Sequence, residues 1–144
     1  MKIVLDTNVL VSGLLSPYGA PAGIVGMVSS GVLRLCYDAR IMVEYQDVLA
    51  RPKFQFDQKK VKDLLVFAQQ SGEVVATSPF NARLSDVHDE IFLEVALAGR
   101  AAFLIMGNIK HFPASSRQGV NVVTPQEFLD LLRRKGRNSK NLVD

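Results

Sequence analysis

The chain has 144 residues, 48% of them hydrophobic, a size at which one domain buries roughly two thirds of the surface its unfolded chain exposes. Seventeen Lys and Arg against fourteen Asp and Glu leave a net charge of +3, compatible with a nucleic-acid partner but too small to establish one. No apolar run approaches the ~18 to 20 residues of a membrane span and the amino terminus enters a strand-like segment directly, so the expectation is a soluble, cytoplasmic protein.

Short β-branched runs alternate with longer helical ones, which points to an α/β fold around a mostly parallel sheet. Residues 2–5 read as the first strand and lead through Asp6-Thr7-Asn8 into an apolar helix over 9–15, broken at Ser16-Pro17-Tyr18-Gly19. A helix near 22–30 ends at Gly31 and feeds a strand over 32–36, where the single cysteine, Cys36, serves as a small apolar residue. Ile41, Tyr45, Val48 and Leu49 give the next helix its buried stripe, and Arg51-Pro52 ends it. Val61, Leu64, Leu65 and Ala68 mark a longer helix closed by Gly72, followed by a strand over 73–77.

The segment 90–98 is apolar almost all round and predicts a helix covered on most sides, ending at Gly99. A central strand over 102–106 and a short last strand over 120–123 follow. Thr124-Pro125-Gln126-Glu127 then opens the final helix with a capping box and a proline at its first position. One domain over 1–135 is expected, with a polar, fraying tail over 136–144. Arg133, Arg134, Lys135, Arg137 and Lys140 crowd this end and are candidates for contacts with phosphate or an acidic partner.

In open parallel sheets ligands bind outside the carboxyl ends of the strands, and both Asp6 and Asn108 stand at such ends. Asp6 suits two roles, helix cap and metal ligand, while Thr7 and Asn8 suit capping or orienting. Glu44 is the most telling residue, because Ile41, Glu44, Tyr45 and Val48 occupy i, i+3, i+4 and i+7 of one helical face. A carboxylate on a buried stripe needs a cation, and Arg40 and Arg51 both flank the helix ends, which favours a metal. Asp86 reads as the cap of the helix that follows and Asp89 as a site residue, since it lines up with the inward-facing Phe92, Leu93 and Ala96. The two histidines, His88 and His111, lack the spacing of a zinc site; His88 reads as a surface or helix-entry residue, and a phosphate contact is the functional role open to His111. The oxygen-rich set Asp6, Glu44, Asp89 and Asn108 is what a hard cation such as Mg²⁺ or Mn²⁺ requires.

The ordered set Leu5-Asp6-Thr7-Asn8-Val9, Glu44-Tyr45-Gln46-Asp47-Val48-Leu49, Asp86-Val87-His88-Asp89 through Leu93-Glu94-Val95-Ala96, and Met106-Gly107-Asn108 resembles the PIN domain over residues 2 to about 132. It is most similar to the bacterial and archaeal PIN proteins described as toxins of toxin–antitoxin pairs, relatives of the VapC ribonucleases. The resemblance implies a Rossmann-like three-layer sandwich, metal-dependent hydrolysis of RNA phosphodiester bonds, a cognate antitoxin protein and a homodimer. The family's acids fall on Asp6, Glu44 and Asp89, and Asp86 stands beside them as a supporting residue. The fourth acid is replaced by Asn108, which offers an oxygen but no charge and puts a second metal in doubt.

Two other readings compete. A phosphatase of the haloacid-dehalogenase type also ends its first strand in Asp but needs a second Asp two residues on, where this chain has Asn8. An RNA-binding module with weakened catalysis is favoured by Asn108 and disfavoured by Glu44.

Overall fold

The computed structural model describes residues 1–77 and 87–143, which form a five-stranded sheet, parallel throughout, flanked by helices. The strands are β1 (Lys2–Leu5), β2 (Arg34–Tyr37), β3 (Glu73–Val74), β4 (Phe103–Ile105) and β5 (Val122–Val123), in the spatial order β3-β2-β1-β4-β5. The helices are α1 (Thr7–Leu15), α2 (Ala20–Ser29), α3 (Ala39–Leu49), α4 (Gln58–Ser71), α5 (Val87–Ala98) and α6 (Pro125–Val143). None of them is long and apolar enough to cross a membrane among the described residues.

Strand β1 is central because Ile3, Val4 and Leu5 are all fully buried, which suits a strand covered on both faces. From β1 the chain builds outward to β2 and β3, then crosses back to lay β4 on the other side, pairing Ile3 with Phe103 and Leu5 with Ile105. The order reverses between β1 and β4, and an open parallel sheet places its ligand crevice at such a point. The Asp6 amide donates to the Ile105 carbonyl at 3.0 Å, so the two strands end level there.

The fold agrees with the expected α/β architecture, while several boundaries shift for physical reasons. The second strand begins at Arg34, because Gly31 turns with φ +83° and Val32 lies 62% exposed before pairing starts at Lys2–Arg34. The strand expected over 73–77 stops at Val74: Val75 donates one last bond to the Tyr37 carbonyl, and Thr77 is engaged by side chains instead. Gly72 ends α4 with φ −89°, so the left-handed cap that a terminal glycine suggests is not formed. Glycine is needed because a Cβ there would lie 2.4 Å from the Leu35 carbonyl oxygen.

The capping box of α6 is formed in both directions, Glu127 N to Thr124 Oγ1 and Thr124 N to Glu127 Oε1, each 3.1 Å. Past Gly136 the backbone continues as helix to Val143.

Candidate active site

Asp6 sits where β1 hands over to α1, and only 8% of it is exposed. It occupies the N-cap position, where its carboxylate is near the Thr7 and Asn8 amides without forming a well-aligned cap hydrogen bond. Burial, then the nearby charges of Asp89 and Glu44, raise its pKa from the ordinary 3.8 to about 7, while the amides of Thr7 and Asn8 act weakly in the opposite sense. Such a group titrates near neutral pH, where an ordinary carboxylate is fully ionised.

Glu44 reaches the same place from α3. That helix buries Ile41, Met42, Tyr45 and Leu49, which turns its packed face slightly away from Glu44 and Val48 and leaves both at the rim, half-buried. The hydroxyl of Thr7, itself buried, donates to Glu44 Oε2 and fixes the carboxylate's orientation toward the end of β1. Tyr45 is fully buried next to it and donates its hydroxyl to the Leu5 carbonyl at 2.5 Å, clamping α3 to the last residue of β1. Burial first, then Asp6 and Glu44, push the Tyr45 phenol well above its ordinary pKa, so it stays a hydrogen-bond donor.

Asp89 stands in the first turn of α5 and is buried. Asp6, Thr7, Asn8, Glu44 and Asp89 together line one polar cleft of about 320 Å³, whose lining also includes Arg51, Lys53 and Phe54. Asn108 follows β4, the strand beside β1; it is exposed, and its side-chain oxygen accepts from the Lys110 amide at 3.2 Å, capping a short 3₁₀ turn. Asp86 lies outside the described residues, as do the side chains of His88 and His111.

The oxygen-only donor set around Asp6, with its mutual repulsion, fits a hard divalent cation. Among the described residues no three acidic, His or Cys side chains are already drawn together as a closed metal shell. Tight octahedral Mg²⁺, which keeps several waters, needs only one or two direct carboxylates, so the open arrangement remains suitable.

A second group of buried acids escaped the sequence reading. Asp38 follows β2, caps α3 through the Ile41 amide at 3.0 Å, and accepts from Arg40 at 2.8 Å. The same guanidinium meets Glu94 of α5 at 2.8 Å and Thr77 at 3.0 Å. Burial alone would lower the Arg40 pKa, but its hydrogen bonds to Glu94 and Asp38 outweigh that and raise it. Arg40 is therefore engaged away from Glu44. The overlooked signal was Glu94 itself, a carboxylate within a helix apolar on nearly every side, which needs a partner for the same reason as Glu44.

A larger, mainly apolar groove between α2 and α4, about 410 Å³, contains one carboxylate, Asp57, and that one caps α4. It offers no comparable chemistry. Burial pushes the Cys36 thiol up, in keeping with a packing role in β2.

A family model described as PIN domain matches residues 2–110 of the chain. PIN domains are generally nucleases and typically bind a divalent metal ion. No curated protein matches the sequence.

Proposed function

The chain belongs to the PIN-domain family, and from that premise we propose that it is a Mg²⁺- or Mn²⁺-dependent endoribonuclease that hydrolyses RNA phosphodiester bonds, acting as the toxin of a toxin–antitoxin pair. The observation that carries the catalytic part is the convergence of Asp6, Glu44 and Asp89 on one cleft at the switch point of the sheet, with Asp6 raised to about 7 by burial and by its acidic neighbours.

In this reading Asp6, Glu44 and Asp89 hold the ion. When bound, it supplies an activated water and offsets charge on the phosphate. The chain's own residues prepare that chemistry. Thr7 fixes Glu44, Tyr45 fixes the end of β1 against α3, and the rigid end of the sheet holds Asp6 in place. Such preorganisation matters because a misplacement of about 1 Å can cost on the order of a hundredfold in rate. The toxin role, with its cognate antitoxin and a homodimeric state, is supported by the likeness of the motifs alone.

The test is cleavage of pooled cellular RNA with and without Mg²⁺ or Mn²⁺, by the wild type and by Asp6→Asn, Glu44→Gln and Asp89→Asn. Metal-dependent cleavage lost in all three folded variants is expected. Full activity in Glu44→Gln would mean that the site is misassigned. Induced expression in a bacterial host tests the biological role: growth arrest by the wild type and none by Glu44→Gln is the expected pair. A second reading, an RNA-binding module with weakened catalysis, draws on Asn108, a neutral residue after β4. It predicts RNA binding without metal-dependent cleavage.

A further inference from the structure

The cleft's lining is chemically mixed. Beside the carboxylates of Asp6, Glu44 and Asp89 it includes Arg51, Lys53 and the Phe54 ring, carried by the short 3₁₀ turn Pro52–Phe54 and its N-cap residue. An acidic cleft repels a polyanion unless cations hold the phosphate beside it. Neither Arg51 nor Lys53 enters an ion pair among the described residues, although carboxylates share the cleft with them. Both are exposed.

The turn is also built rigidly. Pro52 holds Arg51 in the extended region at φ −65°, ψ 128°. Phe54 N and Gln55 N donate back to the carbonyls of Arg51 and Pro52, and Gln55 closes the turn in the left-handed region at φ 54°. Phe56 stacks on Phe54 with ring centroids 5.4 Å apart and planes inclined by 17°, fixing a half-buried ring at the cleft. The Lys53 ammonium lies 5.0 Å from the Phe54 centroid, held by a cation–π attraction that is weak at an exposed site.

We propose that this turn is the substrate-positioning subsite: Arg51 and Lys53 hold the phosphate next to the bond to be cut and Phe54 stacks the adjoining base, so that the protein selects single-stranded RNA. The inference rests on the nuclease reading for its substrate. An aromatic ring stacks on a base only when that base is unstacked from its own strand, which a duplex does not allow cheaply. As the base settles on Phe54 it displaces the ammonium of Lys53, which is then free for the phosphate. Arg51 supplies the planar, bidentate donor suited to phosphate oxygens.

The experiment measures binding and cleavage separately. Fluorescein-labelled 12-nucleotide RNA, single-stranded or annealed to its complement, is titrated with full-length protein in EDTA and followed by anisotropy; cleavage of the same RNAs is then measured in Mn²⁺. Phe54→Ala is expected to weaken single-strand binding roughly tenfold and to erase the preference over duplex, with Phe54→Trp restoring both. Oligonucleotides carrying one abasic residue, scanned along the strand, should show a position at which the wild type loses the same factor and Phe54→Ala loses nothing more. That coincidence is not produced by a merely structural phenylalanine. Arg51→Ala should weaken binding of both RNA forms and make it less dependent on salt. Phe54→Leu, which keeps the packing volume, serves if the alanine variant fails to fold. Unchanged single-strand affinity and unchanged strand preference in the folded Phe54 variants overturn the subsite. Wild-type protein that binds RNA with these preferences yet never cuts it in Mn²⁺ overturns the nuclease reading and leaves the subsite standing.

Discussion

Replacing Asp6 by asparagine keeps the shape of the side chain and removes its charge, so the variant measures what that charge costs the metal-free fold. The folded chain holds the Asp6 proton more tightly than the unfolded chain, with a pKa of about 7 against the ordinary 3.8. Stability must therefore fall as pH rises through that window and level off above it. At about 1.4 kcal/mol per unit the full penalty is about 4 kcal/mol, of which roughly 2 to 3 kcal/mol develops between pH 5 and pH 8. For a domain of this size that corresponds to a melting temperature lower by roughly 8 °C at the upper pH. Thermal melts in EDTA at pH 5, 6, 7 and 8 provide the measurement: the wild type should lose this increment and Asp6→Asn should not. Saturating Mn²⁺ at pH 8 should restore the wild type and do little for the variant, because an ion that binds only the folded state stabilises it by mass action. Parallel melting profiles for the two proteins from pH 5 to pH 8 would refute the assignment of Asp6 as the strained acid.

Tyr45→Phe removes the hydroxyl that donates to the Leu5 carbonyl inside the core, and a loss of about 1 to 2 kcal/mol in urea unfolding is expected; an unchanged midpoint would mean the bond contributes nothing. Arg40→Met strands the carboxylates of Asp38 and Glu94, and because Arg40 is itself 43% exposed the cost should be about 2 to 3 kcal/mol, below that of a fully buried pair. Adding Glu94→Gln to Arg40→Met should recover part of that loss, and no recovery would show that the ion pair does not couple the two helices. Asn108→Asp adds a fourth acid near the end of β4 and should tighten Mn²⁺ binding severalfold by calorimetric titration; equal affinities would place residue 108 outside the metal site.

Much of this was legible in the chain because the controlling physics is local. Four strand residues followed by Asp6-Thr7-Asn8 announce a strand-to-helix turn, and a parallel sheet makes such turns the place where ligands bind. The capping box at Thr124 and Glu127 requires only four consecutive residues and forms as read. Two of the misread helix and strand ends depend on distant chain. Residues 75–77 have strand-forming character, yet β3 stops because Thr77 is drawn to Arg40 and Asp38, some 37 to 39 positions away. Gly72 looked like a left-handed helix stop, and its real constraint is the Leu35 carbonyl of another strand.

The two sets of buried acids show what separates support from chemistry in this fold. Asp38 and Glu94 converge on a guanidinium from the same chain, which stitches the end of β2 and α3 to α5. Asp6 converges with two further acids, and its raised pKa records first its burial and then the repulsion of Asp89 and Glu44. A fold that can balance one pair of carboxylates with its own arginine, yet concentrates three others at the switch point of its sheet, spends stability at that place. The arginine link has a direct bearing on the site, because Glu94 lies five residues after Asp89 on one helix. Anchoring Glu94 to Arg40 ties α5, the helix that carries Asp89, to α3, the helix that carries Glu44. The structural ion pair thus joins the two helices that bring Glu44 and Asp89 to the candidate active site.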